Sequence, residues 1–117
     1  MDLVQDVVTR VGVDEDQAKK GLGTVFIALR MAGDMRTFTQ ISSAFPDSGA
    51  WMMVAPFQDG ATGEMLAIAT PAAVRRLLAI AGFDQDSGKA LVGVVGEALR
   101  AKVPEAFEAA AAKLPIF

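Results

Sequence analysis

Two acidic pairs and one glycine–lysine step carry most of the chemistry this chain has to offer. Asp14-x-Asp16 and Asp84-x-Asp86 space two carboxylates as calcium loops do, and "GFDQDSGKALVG" (82–93) sets Gly88-Lys89 behind a leading glycine, like a phosphate-binding loop. Neither set is complete. A Walker A loop needs four residues between its first glycine and the Gly-Lys step, then Ser or Thr to reach magnesium. Here five residues separate Gly82 from Gly88, and Ala90 stands in the hydroxyl position. An EF-hand loop needs oxygen ligands at positions five and seven, glycine at six and glutamate at twelve, and neither acidic pair is followed by that set. The chain has no His, Cys or Tyr. It therefore lacks the commonest general base, the commonest transition-metal ligand and any thiol nucleophile. Ser42-Ser43 and Ser48 have no recognisable base. The sequence predicts no catalytic residue, no metal site and no cofactor.

The carboxylates have a simpler use. Asp14 and Asp84 each precede an apolar-periodic run, where an aspartate accepts hydrogen bonds from the free amides of a helix's first turn. Asp16 and Asp86 add negative charge near the positive helix end. Gln17, three residues after Asp14, gives a spacing like that of a capping box.

Those two starts belong to a repeat. Between residues 12–30 and 82–100, at an offset of 70, nine of nineteen positions are identical, among them Gly12/Gly82, Asp14/Asp84, Lys19/Lys89, Gly23/Gly93 and Arg30/Arg100. With a one-residue slip, Phe38 matches Phe107 and "FP" at 45–46 matches "LP" at 114–115. The chain reads as one domain over 1–117, built of two related three-helix units at 1–46 and 70–117 with an insert at 47–69. Helix one is "DLVQDVVTRV" or "PAAVRRLLAIA", closed by Gly12 or Gly82. Helix two carries the stripe Ala18, Leu22, Val25, Phe26 and Leu29, and in the second copy Gly88, Val92, Val95, Gly96 and Leu99. Helix three is "MRTFTQISSAF" or "PEAFEAAAAKL", with Pro104 in a first-turn position. In the insert, Asp47 or Ser48 opens a short helix through Val54. "MLAIA" then reads as another helix, with a hairpin about "QDGATGE" the alternative.

Glycine inside a helix costs about 1 kcal/mol relative to alanine, so its recurrence at Gly23 and Gly93 needs a reason. The expectation is that the two second helices cross there, with the Phe26 ring filling space left by Gly96. "GAWMMVAPF" gathers the only tryptophan with two methionines and a phenylalanine. Met-rich surfaces repack readily. Trp51, Met52, Met53 and Phe57 are accordingly the candidate interaction surface.

Composition bounds the rest. The 117 residues are 52% hydrophobic and 21% charged, with a net charge of −3. A globular, all-α domain with one core is expected. Arg75-Arg76 and Lys19-Lys20 are the only adjacent basic pairs, which argues against nucleic-acid binding. The longest uncharged run, "SGAWMMVAPFQ", has eleven residues, against roughly 20 for a membrane span. The opening "MDLVQDVV" lacks the basic n-region of a signal peptide, so a cytoplasmic location is expected.

"ALRMAGDMRTFTQISSAFP", "EALRAKVPEAFEAAAAKLP" and "VDEDQAKKGLGTV" resemble a group of small bacterial helical proteins catalogued only as domains of unknown function. The resemblance covers most of both units but not residues 47–69. It implies an all-α fold and brings no activity. The function expected is a non-catalytic module that binds a protein partner or a second copy of itself. The alternative is a carrier of an apolar or lipid-like ligand held between the repeats.

Overall fold

Four helices begin with the same device. The carboxylates of Asp2, Asp14, Asp34 and Asp84 accept hydrogen bonds from the amides of Gln5, Gln17, Thr37 and Ser87 at 2.7–2.8 Å. Ser87 returns the favour, its hydroxyl accepting from the Asp84 amide at 2.9 Å to complete a capping box. Gln17 does not do so: its side-chain amide instead donates to the Gly82 carbonyl at 2.7 Å. Gly12 (φ 83°) and Gly82 (φ 98°) turn the chain into the helices capped by Asp14 and Asp84, and no other described residue has a positive φ.

The computed structural model describes residues 2–55 and 71–117. Their helices are α1 (Leu3–Val11), α2 (Glu15–Ala32), α3 (Met35–Ala44), α4 (Ser48–Met53), α5 (Pro71–Ile80), α6 (Gln85–Lys102) and α7 (Pro104–Lys113). There is no strand among the described residues, so the chain is all-α as expected. Helices α2 and α6 each have 18 residues and start 70 positions apart, while α3 and α7 each have 10. The short helix expected from Asp47 or Ser48 is α4, but Asp47 makes no side-chain capping bond to it. Helix α7 opens on Pro104 without a side-chain cap. The "MLAIA" helix and its hairpin alternative lie outside the described residues.

Helix α2 is the hub. It touches each of the other six described helices, and every residue from Gly21 to Leu29 is buried. That run contains no charged side chain, and its one polar group, the Thr24 hydroxyl, donates back to the Lys20 carbonyl at 2.9 Å. A helix apolar on all sides has no face to give to water. The stripe read from periodicity covers only part of it. Around this hub, α1 and α5 each pack against both α2 and α6, α3 packs against α7, and α4 lies on α2.

The glycines correct the expected crossing. A Cβ on Gly23 would collide with the Trp51 carbonyl oxygen, so Gly23 admits the backbone of α4 and not that of α6. Gly93 is exposed and faces open space. Nor does Phe26 fill the space beside Gly96. Phe26 packs edge-to-face on Phe45 and Trp51, with centroids 5.7 and 5.5 Å away. A Cβ on Gly96 would instead lie 3.3 Å from the Phe117 ring and 3.7 Å from Phe107. The close approach between α2 and α6 with its preceding turn falls at Gly21, where a Cβ would come within 2.6 Å of Phe83 and 2.8 Å of Leu91. Residues 21 and 91 are themselves 70 positions apart.

Matched substitutions should therefore move stability in opposite directions. Gly93→Ala relieves a helix-interior glycine at an open position and should stabilise by up to about 1 kcal/mol. Gly23→Ala forces a methyl against fixed backbone and should cost about 1–3 kcal/mol despite the same propensity gain. Urea denaturation followed by circular dichroism reads both signs. Equal shifts for the two variants would contradict the packing of α4 on α2.

Candidate functional site

Of the residues expected to form an interaction surface, Trp51 turns inward. Trp51 is buried, 5% exposed, with its ring against Phe26. Met52 is half-buried, Met53 is 78% exposed, and Phe57 lies outside the described residues. The reason is local: α4 lies along α2, and Gly23 lets it come close enough to insert Trp51 into the core. The aromatic residue that suggested a surface is a core anchor.

A groove of about 630 Å³ lies elsewhere, between α5, the first turns of α6 and the chain after α7. Its deeper wall is apolar, formed by the buried side chains of Val74, Leu78 and Phe83 with half-buried Val92 and Ile116. Gly88 stands in this wall, where an added Cβ would lie 3.7 Å from Leu78 Cδ1, an ordinary contact across the gap between α5 and α6. The corresponding residue of α2, 70 positions earlier, is Ala18. Exposed Arg75, Lys89 and Asp84 sit at the rim. Lys89, the residue that raised the phosphate-loop question, is thus a groove-rim cation on the second turn of a helix whose start is capped by Asp84.

The rim charges are not equivalent. Asp84 is committed to its own helix: its carboxylate accepts from the Ser87 amide at 2.7 Å and from the Ser87 hydroxyl at 3.0 Å. Those bonds hold its pKa below the usual aspartate value. Neither Arg75 nor Lys89 takes part in an ion pair among the described residues, whose two pairs are Arg10–Glu97 and Lys19–Glu15. Arg10 ties α1 to α6 and holds the Glu97 carboxyl below its ordinary range. Sequence reasoning missed the groove, although Gly88 and the change from Glu15 to Gln85 were signals that it could have used.

A second, shallower groove of about 260 Å³ gathers Asp2, Asp6 and Asp47 near Lys102, between the start of α1 and the ends of α3 and α6. Among the described residues, no three of its carboxylates or any others are placed to hold a metal ion. Lys102 lies over the Phe45 ring with its Nζ 5.0 Å from the centroid. Asp14 and Asp84 both serve as helix caps, and no described helix is long and apolar enough to cross a membrane.

No protein-family model matches this chain, and neither does any curated protein or solved structure.

Two measurements follow. Trp51→Ala should cost about 3–5 kcal/mol of stability, as truncation of a buried aromatic does, while leaving the sizing-column profile of the folded protein unchanged. Loss of a larger species with unaltered stability would return Trp51 to the surface. The second concerns acid. Asp34 is held below its ordinary pKa chiefly by the Thr37 amide, and Asp84 by the Ser87 amide. Because the folded values are depressed, their stabilisation is complete above about pH 4 and is lost as pH falls through the folded values. Asparagine caps helices as well as aspartate does but does not titrate. The double variant Asp34→Asn/Asp84→Asn should therefore melt near the parent at neutral pH and lose less melting temperature than the parent on acidification. Parallel acid limbs would refute this.

Proposed function

We propose that the chain is a non-catalytic binding module whose groove between α5 and α6 takes an apolar ligand. The observation that carries this reading is the groove itself. It is about 630 Å³ in volume, with a wall of Val74, Leu78, Phe83 and Val92. Small-molecule sites run to roughly 300–1,000 Å³ and are lined mainly by apolar side chains with a few polar groups at fixed places. The ligand position expected between the two units moves into the second unit alone. Support for self-association is weaker, because Trp51 is turned inward and, among the described large hydrophobic residues near it, only Met53 and Val54 stand exposed.

The same reading includes an internal duplication. Its supports are the paired helix lengths, the left-handed glycines before both Asp-capped helices and the meeting of Gly21 with Leu91. On this view one copy became the enclosed half of the fold, and the other kept an accessible seam between its first two helices. Gly88 in place of alanine, and Val92 in place of Leu22, widen that seam.

The test uses the neutral fluorophore N-phenyl-1-naphthylamine, which brightens in apolar surroundings. Saturable, one-to-one enhancement by the purified protein is expected. Val92→Glu, which adds a carboxylate at a half-buried groove position, should abolish the enhancement while leaving helicity and melting temperature close to the parent. A parent protein that does not brighten the probe, or a variant that does so equally well, would overturn the proposal.

A further inference from the structure

We propose that the ligand of the α5–α6 groove is a free single-chain amphiphile with an anionic head, its chain along the apolar wall and its head held by Arg75 and Lys89. This rests on the groove reading above and adds the head group. Two lysines at matching helix positions differ in their partners. On α2, Lys19 is paired with Glu15 one turn earlier, at 3.2 Å. On α6 the residue one turn before Lys89 is Gln85, so the same lysine position loses its internal anion. Arg75, on the second turn of α5, lines the same groove and is likewise in no ion pair among the described residues.

Charge complementarity then selects the head. Two unpaired cations border a wall with one carboxylate, Asp84, which accepts from the amide and hydroxyl of Ser87, so the charged groups of the rim sum to one net positive charge. A guanidinium grips a carboxylate or phosphate with two parallel bonds, and an ammonium adds a movable point charge beside it. A neutral apolar ligand would leave both cations unused. A cationic amphiphile would be repelled by them. Carboxylate and phosphate heads share the chemistry that this rim recognises.

Displacement of N-phenyl-1-naphthylamine by ten-carbon probes separates chain from head. At near-neutral pH, decanoate and decyl phosphate should each compete about tenfold or more better than decanol, the range expected for a hydrogen bond to a charged group, with decyltrimethylammonium weakest. In Arg75→Gln/Lys89→Gln, decanoate should fall to the level of decanol, while decanol itself is unchanged. Decanol and decanoate competing equally against the parent protein would overturn the head-group inference and leave the groove reading standing. Failure of all four probes to displace the fluorophore would overturn both. A final arm addresses the source of the anion: co-sedimentation with vesicles containing phosphatidylglycerol, without competition by monomeric decanoate, would overturn the assignment to a free amphiphile.

Discussion

The fold depends on keeping the middle of one helix entirely out of water. From Gly21 to Leu29, α2 is buried on every side, and a helix enclosed in this way must be approached from all directions at once. Two of its glycines make that geometrically workable. Gly21 admits Phe83 and Leu91, and Gly23 admits the backbone at Trp51. Hydrophobic burial supplies the driving force, but the approach distances set by missing side chains decide which neighbours receive it.

Helix α6 shows what the same pattern does when that constraint is relaxed. Ile27 of α2 is fully buried, whereas Glu97, 70 positions later, is exposed and bonded to Arg10. Around position 26 the ring stands on the helix itself and meets Phe45 and Trp51. Around position 96 the helix carries only hydrogen, and the rings of Phe107 and Phe117 come from outside, stacked edge-to-face 5.3 Å apart. Aromatic volume is present in both places, but it is supplied from opposite directions. The open seam between α5 and α6 belongs to this looser half.

Much of the architecture was legible in the sequence because it is written in local rules. Aspartate before an apolar-periodic run, glycine after one and proline at a first turn each act within a few residues, and they marked the helices at both ends of the chain. Packing partners were less accessible. Gly23 and Gly93 look alike in sequence, yet one holds a helix and the other faces solvent, since α4 packs at Gly23 and no described residue approaches Gly93. Trp51 was misread for the same reason: the composition of "GAWMM" is equally suited to a sticky surface and to a core plug, and only the access granted by Gly23 decides between them. The groove needed a comparison between the two similar stretches 12–30 and 82–100 that periodicity alone does not make, with Ala18 set against Gly88 and Glu15 against Gln85.

The enclosure of α2 has a consequence for how the chain acquires its shape. With glycine at positions 21 and 23 and β-branched or aromatic residues at 24–27, this stretch has little intrinsic tendency to coil by itself. Its order is borrowed from elements that arrive later in the chain, including α5, α6 and α7. An isolated amino-terminal half would leave open to water the parts of α2 that α5, α6 and α7 cover.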